Sequence, residues 1–356
     1  MEIAPDNERV EAFFNAAHST FVNAARNTGG TVDYDFFIGG QHVRFCCAGE
    51  RWAEKLLPAL EHLRCDSEDK ADISVDLTVC LWDDRSTGTT MPDTPWSTED
   101  HIERGEIRGF NTTRFCTGFN PRAAMLTMLD LDSDLALCWM RNLDELPSFE
   151  QATPITAIFH WFLRSKSMHL VHAAAVGVPG CGLLLAGRGG AGKSSTALSC
   201  LQAGMLYLSD DFCAVSHHPT PTVHSLYSSG RLHPDGLARL PQLDPWIENR
   251  TELDHEKGLF FVNRRAPEQV RPELPLRAIL VPTIVSRPDS SIETTPPGVG
   301  FRALLATTIR SFAGIDDSGI AYIAELTRRV PSFNLYAGSD PRYLTECVEE
   351  FARRRP

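Results

Sequence analysis

The sequence predicts an α/β protein in two parts: a smaller α+β N-terminal domain over residues 1–150, then an α/β domain with a mixed sheet and flanking helices over 151–356. Three observations predict it. From residue 168 onward the chain alternates strand, glycine-rich loop, helix and strand. Before residue 150, short strand patterns surround one clear helical stretch. A hydrophobic share of 42% over 356 residues is enough to bury two ordinary cores. With 22% charged residues, that content excludes wholesale disorder and a collagen-like fold. No repeat of solenoid or propeller period is visible.

In the first part, residues 34–46 (YDFFIGGQHVRFC) predict a hairpin around Gly39 and Gly40. Residues 51–63 show helical apolar spacing, and 73–82 (ISVDLTVCLW) predict a strand. The Asp, Ser, Thr and Pro of 83–104 predict a surface loop, with strands following at 113–118, 123–130 and 134–140. A helix at 151–166 leads into the second part, with Phe159, Trp161 and Phe162 expected in the core.

The stretch His169 to Gly187, HLVHAAAVGVPGCGLLLAG, is almost long and apolar enough to suggest a membrane span. Two His, a central Pro and four Gly argue instead for two buried strands around a PGCG turn.

The second of those strands runs into Gly187–Ser194, GRGGAGKS, which fills the pattern G-x-x-x-x-G-K-[ST] without a mismatch. SSTALSCLQAG then predicts a helix ending at Gly204. In this order of elements the glycines let backbone N–H groups cradle phosphate, and the helix N-terminus adds positive potential. Gly187, Arg188, Gly189, Gly190, Ala191, Gly192, Lys193, Ser194 and Ser195 are therefore the candidate nucleotide-binding residues, with Lys193 as the mobile charge and Ser194 as a Mg²⁺ ligand.

Met205 to Ser209 predicts a short buried strand followed at once by Asp210 and Asp211. If it runs parallel to 183–186, both aspartates emerge on the loop side, where a carboxylate can hold Mg²⁺ or take a proton from an attacking hydroxyl. A hairpin centred between Pro179 and Gly180 sets His172 across from Gly187, at the start of the loop.

Forty-six acidic against 34 basic residues leave a net charge of −12, which disfavours a surface built to grip nucleic acid or anionic membrane. The acidic N-terminus lacks the pattern of a secretory signal, so a cytoplasmic protein is expected. Ten scattered cysteines with no CxxC pair predict reduced, packed thiols rather than disulfides or zinc. The adjacent His217 and His218 are weak metal candidates.

Together, His172 placed 21 residues before Lys193, the loop GRGGAGKSS leading into TAL, and Asp210-Asp211 beginning 17 residues after Lys193 resemble the C-terminal catalytic domain of the HPr kinase/phosphorylase family. These are bacterial enzymes that phosphorylate a serine of the carrier protein HPr. The resemblance covers roughly 168–216. It implies ATP and Mg²⁺ as cofactors, Lys193 on the β- and γ-phosphates, Ser194 on the metal and Asp210 as general base. It also implies Asp211 as metal or structural support, His172 beside the transferring phosphate, a serine-bearing protein or peptide as acceptor, and possible self-association. The chain departs from the family at Ala173, where Gly is usual, and at Ser195, where an acidic residue is usual. The later L-E-x-R-G-like strand has no clear counterpart, and residues 1–150 do not match the family's N-terminal domain. A divergent relative is expected.

Arg231, Lys257, Arg264 and Arg265 are candidates for an additional phosphate-neutralising cation, with Lys257 first among them. The tail from 332 to 354 predicts a strand, a turn and an amphipathic helix capped by Ser339 or Asp340. No N-K-x-D or LSGGQ motif is found, which argues against a GTPase or an ABC ATPase. The expectation is phosphoryl transfer from ATP to a serine-type hydroxyl. A nucleotide-sensing regulatory or scaffold module, or a kinase of a small hydroxyl metabolite, stays open as an alternative.

Overall fold

The computed structural model describes residues 7–65, 74–102, 105–312 and 316–354. The chain forms two compact units: 1–58 with 63–166, and 59–62 with 167–356.

The first unit begins with α1 (Asn7–Asn27), β1 (Thr31–Ile38), β2 (Gln41–Ala48) and α2 (Arg51–Leu60), whose end belongs to the second unit. It continues with β3 (Leu77–Asp83), α3 (Asp84–Thr87), β4 (Phe115–Asn120), β5 (Met125–Asp130), β6 (Leu135–Met140), α4 (Ser148–Ala152) and α5 (Thr156–Ser165). The hairpin turns at Gly39 and Gly40, both in the left-handed region that glycine adopts without strain. The sheet order is β1-β2-β3-β6-β5-β4, with β2/β3 and β3/β6 parallel and the other neighbours antiparallel.

Sequence reasoning assigned no element to α1. Its apolar positions Val10, Phe13, Phe14, Ala17, Phe21 and Ala24 follow helical spacing, and they bury against Trp82, Phe115, Leu126 and Met128. On α5, Phe159, Trp161 and Phe162 are buried, as expected of core residues. The helix expected over 151–166 is broken into α4 and α5 at Thr153-Pro154-Ile155. Pro154 lacks an N–H and restricts its predecessor, and Ile155 takes φ 47°. The strand expected from 73 begins at Leu77, and residue 73 lies outside the described residues. The division falls between Lys166 and Ser167 rather than near 150, because α4 and α5 pack within the first unit.

The second unit opens with β7 (His169–Val178), β8 (Cys181–Ala186), α6 (Lys193–Gln202), β9 (Leu206–Ser209), β10 (Phe212–Ser216), β11 (Thr222–Ser225) and β12 (Ser229–Leu232). It closes with α7 (Pro234–Arg239), β13 (Gly258–Phe261), β14 (Glu273–Ile284), β15 (Ser291–Thr294), α8 (Pro297–Ser311), α9 (Asp317–Arg329), β16 (Ser332–Ala337) and α10 (Pro341–Arg353). The main sheet has the order β11-β10-β7-β8-β14-β16-β15, with β9 also on β7. Strands β8, β14 and β16 are parallel, whereas β7, β10, β11 and β15 pair antiparallel, so the sheet is mixed as expected.

Alternate side chains of β7 and β8 enter two cores. Ala174, Val176, Leu183 and Leu185 pack on the α6 and α10 side, with Leu198 and Val348. Ala173, Ala175, Leu184 and Ala186 face Leu304, Ile323 and Leu326 on α8 and α9. The apolar run at 169–187 is thus a sheet hairpin buried on both faces. Among the described residues, no helix is long and apolar enough to cross a membrane. Among the described residues no disulfide forms, and all ten cysteines are reduced. The tail forms β16 and α10 as expected, with Asp340, not Ser339, accepting the capping bond from the Arg342 N–H.

Candidate functional site

The β7–β8 pairing keeps the register expected from the turn: Ala173 faces Ala186 and Val178 faces Cys181. The ladder ends one pair short of His172 and Gly187, and its register leads to that pair. Residues 187–192 then turn sharply between β8 and α6, with Gly190 at φ 79° and Gly192 at φ 99°, where a side chain would be strained. Gly192 is the N-cap of α6, and its carbonyl accepts the first helical bond from the Thr196 N–H at 2.8 Å. Lys193 folds back over the loop and donates from Nζ to the Gly187 carbonyl at 2.7 Å. Only 7% exposed, its ammonium is pushed below the usual lysine range by burial, against the opposing pull of Asp211 and Asp210.

Strand β9 does not pair with β8. It lies antiparallel to β7, which is itself antiparallel to β8, so β9 and β8 point the same way and the aspartates emerge beside the loop. Strands β9 and β10 both follow the same edge of β7, and Asp210-Asp211 occupy the gap between them. The pair therefore sits at an interruption in the ladder, a common way to aim side chains out of a sheet.

The two carboxylates have different surroundings. Asp210 is 5% exposed, and its Oδ2 accepts a bond from the Arg231 backbone N–H at 3.0 Å. Burial, and next the charge of Asp211, push its carboxyl up to about 6, opposed by the Ser194 hydroxyl, the Arg231 N–H and Lys257. Its Oδ1 is buried without a hydrogen-bond partner. Asp211, with 38% of its side chain exposed, lies with Oδ1 2.9 Å from His172 Nε2. Burial pushes the Asp211 carboxyl up, but His172, Lys257 and Arg231 outweigh that and hold it below the usual range.

Helix α8 supplies residues that sequence reasoning did not anticipate. Ser311 Oγ lies 2.7 Å from His172 Nδ1, and the His172 backbone N–H donates to Thr308 Oγ1 at 3.2 Å. Thr307 Oγ1 also reaches the His172 carbonyl at 3.3 Å. These contacts span more than 130 positions of chain, and no local pattern signals them.

Of the candidate cations, Lys257 acts on Lys193, Asp210 and Asp211, and Arg231 acts on Asp211. Arg231 also reaches Glu256 at 3.4 Å, and its Nε is buried without a partner. Arg264 is elsewhere, paired with Glu248 at 3.5 Å over the Phe261 ring, and nothing ties Arg265 to the site. Ser195 lies in the first turn of α6, and Arg188 points along the outer wall of the loop. His217 bonds to the Tyr322 carbonyl, and among the described residues no three His, Cys, Asp or Glu form a metal cluster.

A magnesium nucleotide needs no such cluster, because water and phosphate complete the metal's oxygen shell. The Ser194 hydroxyl and the neighbouring Asp210 and Asp211 carboxylates are all oxygen donors of the kind Mg²⁺ takes, and the orphaned Arg231 Nε suits an anion.

The fold and site define a mixed α/β unit in which a glycine loop, a buried lysine and an aspartate pair meet at one sheet edge. Comparison with known proteins points to one family. The chain is 31% identical over 109 residues to the HPr kinase/phosphorylase of Lactobacillus acidophilus, a stretch that makes up 30% of this chain and 34% of that protein. It thus spans about a third of that curated relative's length. No family model matches the sequence. The solved HPr(Ser) kinase/phosphatase of Coxiella burnetii aligns at 13% identity and a TM-score of 0.30, over 52% of this chain and 97% of that one. That score is too low to carry the fold assignment, which rests on the strand order. Over that stretch the chain is similar to an HPr kinase/phosphorylase, at an identity that marks a divergent relationship.

Proposed function

We propose that this protein is an ATP-dependent kinase that transfers the γ-phosphoryl group to a serine-type hydroxyl of a protein or peptide. One observation carries the reading: Asp210, a buried carboxyl raised to about 6, shares a sheet edge with the loop lysine and the Ser194 hydroxyl. A carboxylate tuned toward neutral pH is suited to accept a proton at working pH. The family name of the matched relative supports the same chemistry.

In this reading the loop N–H groups and Lys193 hold the phosphates. Ser194 and Asp211 would hold Mg²⁺, which would supply charge neutralisation at the phosphates. Asp210 takes the proton of the acceptor hydroxyl as its oxygen bonds to the γ-phosphorus, and the bond from that phosphorus to the β–γ bridging oxygen breaks to release ADP. His172, oriented by Ser311 and paired with Asp211, stands beside the transferred group. Lys257 and Arg231 add positive charge there.

The test is incubation of the protein with γ-labelled ATP, Mg²⁺ and cell extract. Label should appear on serine of a protein or peptide, and Asp210→Asn should abolish it while sparing ATP binding. Nucleotide binding with no labelled acceptor, and a biological output that survives Asp210→Asn, would favour a regulatory module. Label on a small molecule would move the assignment to a metabolite kinase.

A further inference from the structure

Strand β11 pairs antiparallel with β10 on one edge and with β14 on the other. In that register His224 stands opposite Ala214 of β10 and opposite Glu273 of β14, while Ser216, the last residue of β10, stands opposite Thr222. Paired residues share a face, and so do residues two apart, so Ser216, His224 and Glu273 point the same way. Their alternates Val215, Val223 and Leu274 fill the core with residues of α8 and α9. Ser216 Oγ lies 3.0 Å from His224 Nε2, and Glu273 Oε2 lies 3.0 Å from His224 Nδ1. The imidazole is nearly enclosed, with 10% of its side chain exposed, and burial holds it below the usual histidine range against the pull of Glu273. It is therefore neutral at pH 7, with one ring hydrogen. A carboxylate oxygen only accepts, so that hydrogen sits on Nδ1 and leaves the Nε2 lone pair facing the Ser216 hydroxyl.

We infer that Ser216, His224 and Glu273 form a second reactive centre, in which Ser216 accepts an acyl group from an activated ester or thioester. The order is that of a nucleophile, its base and the group that orients the base, an arrangement defined by geometry rather than by position in the chain. The Ser216 oxygen bonds to the carbonyl carbon as its proton passes to His224 Nε2. The carbon–oxygen or carbon–sulfur bond of the donor then breaks, and the leaving alcohol or thiol takes that proton. Water repeats the step on the Ser216 ester: its proton goes to His224 and on to the Ser216 oxygen, and a carboxylic acid leaves. Glu273 keeps 60% of its side chain exposed, so solvent weakens its hold on the imidazole and the donor must carry a good leaving group. Strand β10 runs from Phe212, next to the aspartate pair, to Ser216, a separation of about 13 Å along the strand. No loop residue takes part, so the inference does not rest on the nucleotide reading.

Incubation of the full chain with a fluorophosphonate probe, whose P–F bond a nucleophilic serine displaces, and separately with p-nitrophenyl acetate, tests this. Peptide masses should place the probe on Ser216, with fluoride released. Ser216→Ala should abolish that label and lower ester hydrolysis, with the melting temperature unchanged. His224→Gln should slow labelling and hydrolysis by at least about a hundredfold, the share of a general base. Glu273→Gln, at an exposed position, should slow both by about tenfold, less than a buried orienting carboxylate would. Where His224→Gln lowers the melting temperature, the Glu273→Gln rate decides. Absence of label at Ser216, or label that forms in Glu273→Gln and His224→Gln at the parent's rate, overturns the inference and leaves the three side chains as hydrogen-bonded strand residues.

Discussion

His172 Nε2 lies 2.9 Å from Asp211 Oδ1, and the other ring nitrogen of the same imidazole lies 2.7 Å from Ser311 Oγ. The Ser311 hydroxyl is also 3.0 Å from the Thr307 carbonyl, and it has one proton to donate. With that proton given to Thr307, Ser311 Oγ offers the imidazole a fixed partner on one ring nitrogen while Asp211 faces the other. Helix α8 thereby takes part in orienting a residue at the loop. Ser311→Ala should lower kcat for phosphotransfer on the order of tenfold with KM for ATP nearly unchanged, and Ser311→Thr should restore most of it. Steady-state kinetics of both variants, alongside ATP titration, checks this. Equal losses in Ser311→Ala and Ser311→Thr would count against a positioning role.

The second expectation concerns pH and stability. Asp210 titrates at about 6 in the folded protein against an ordinary 3.8, so the folded state binds that proton more tightly than the unfolded one. Its contribution to stability is greatest below 3.8, is lost as pH climbs from 3.8 to about 6, and is flat above. Asp210→Asn removes the penalty. The variant should be more stable than the parent at pH 8 by on the order of 2 kcal/mol, with the gap closing near pH 3. Thermal melts of both proteins at the two pH values decide the matter.

Lys193 offers a contrast between binding and folding. Its buried ammonium leans on the Gly187 carbonyl at 2.7 Å, and burial disfavours its charge. Lys193→Met should cost ATP between about tenfold and a hundredfold in affinity, since a charge-assisted phosphate contact is lost. The melting temperature should hold or rise. A large fall in stability with affinity intact would assign the lysine to the fold instead.

Gly192 tests the loop backbone. It caps α6 at φ 99°, and a β-carbon there would sit 3.4 Å from Ile284 Cγ1. Gly192→Ala should cost about 1–2 kcal/mol, read as a lower urea midpoint with an unchanged slope. It should weaken ATP binding as well, because the N–H groups of the helix start turn away from the phosphates.

Much of the site is local in sequence, and that part is legible. The loop motif, its flanking strand and helix, and the aspartate pair lie within about 30 residues, where turn chemistry and periodicity act directly. Even the position of His172 follows from a single turn, because a hairpin's register is set by where it reverses. The break between α4 and α5 was also present in the sequence, as Pro154, but helical spacing on both sides masked it.

Local pattern alone therefore determined the mixed α/β class, the glycine loop and the identity of the polar groups near it. Only tertiary structure decided how those groups divide their work. Chain-distant packing brought Ser311 to His172 and the Arg231 N–H to Asp210. It also buried one of two adjacent aspartates while pairing the other with an imidazole, which drives their affinities for protons apart. Burial and charge proximity are properties of a three-dimensional environment, so two identical neighbours in a sequence acquire different chemistry only once the chain has folded.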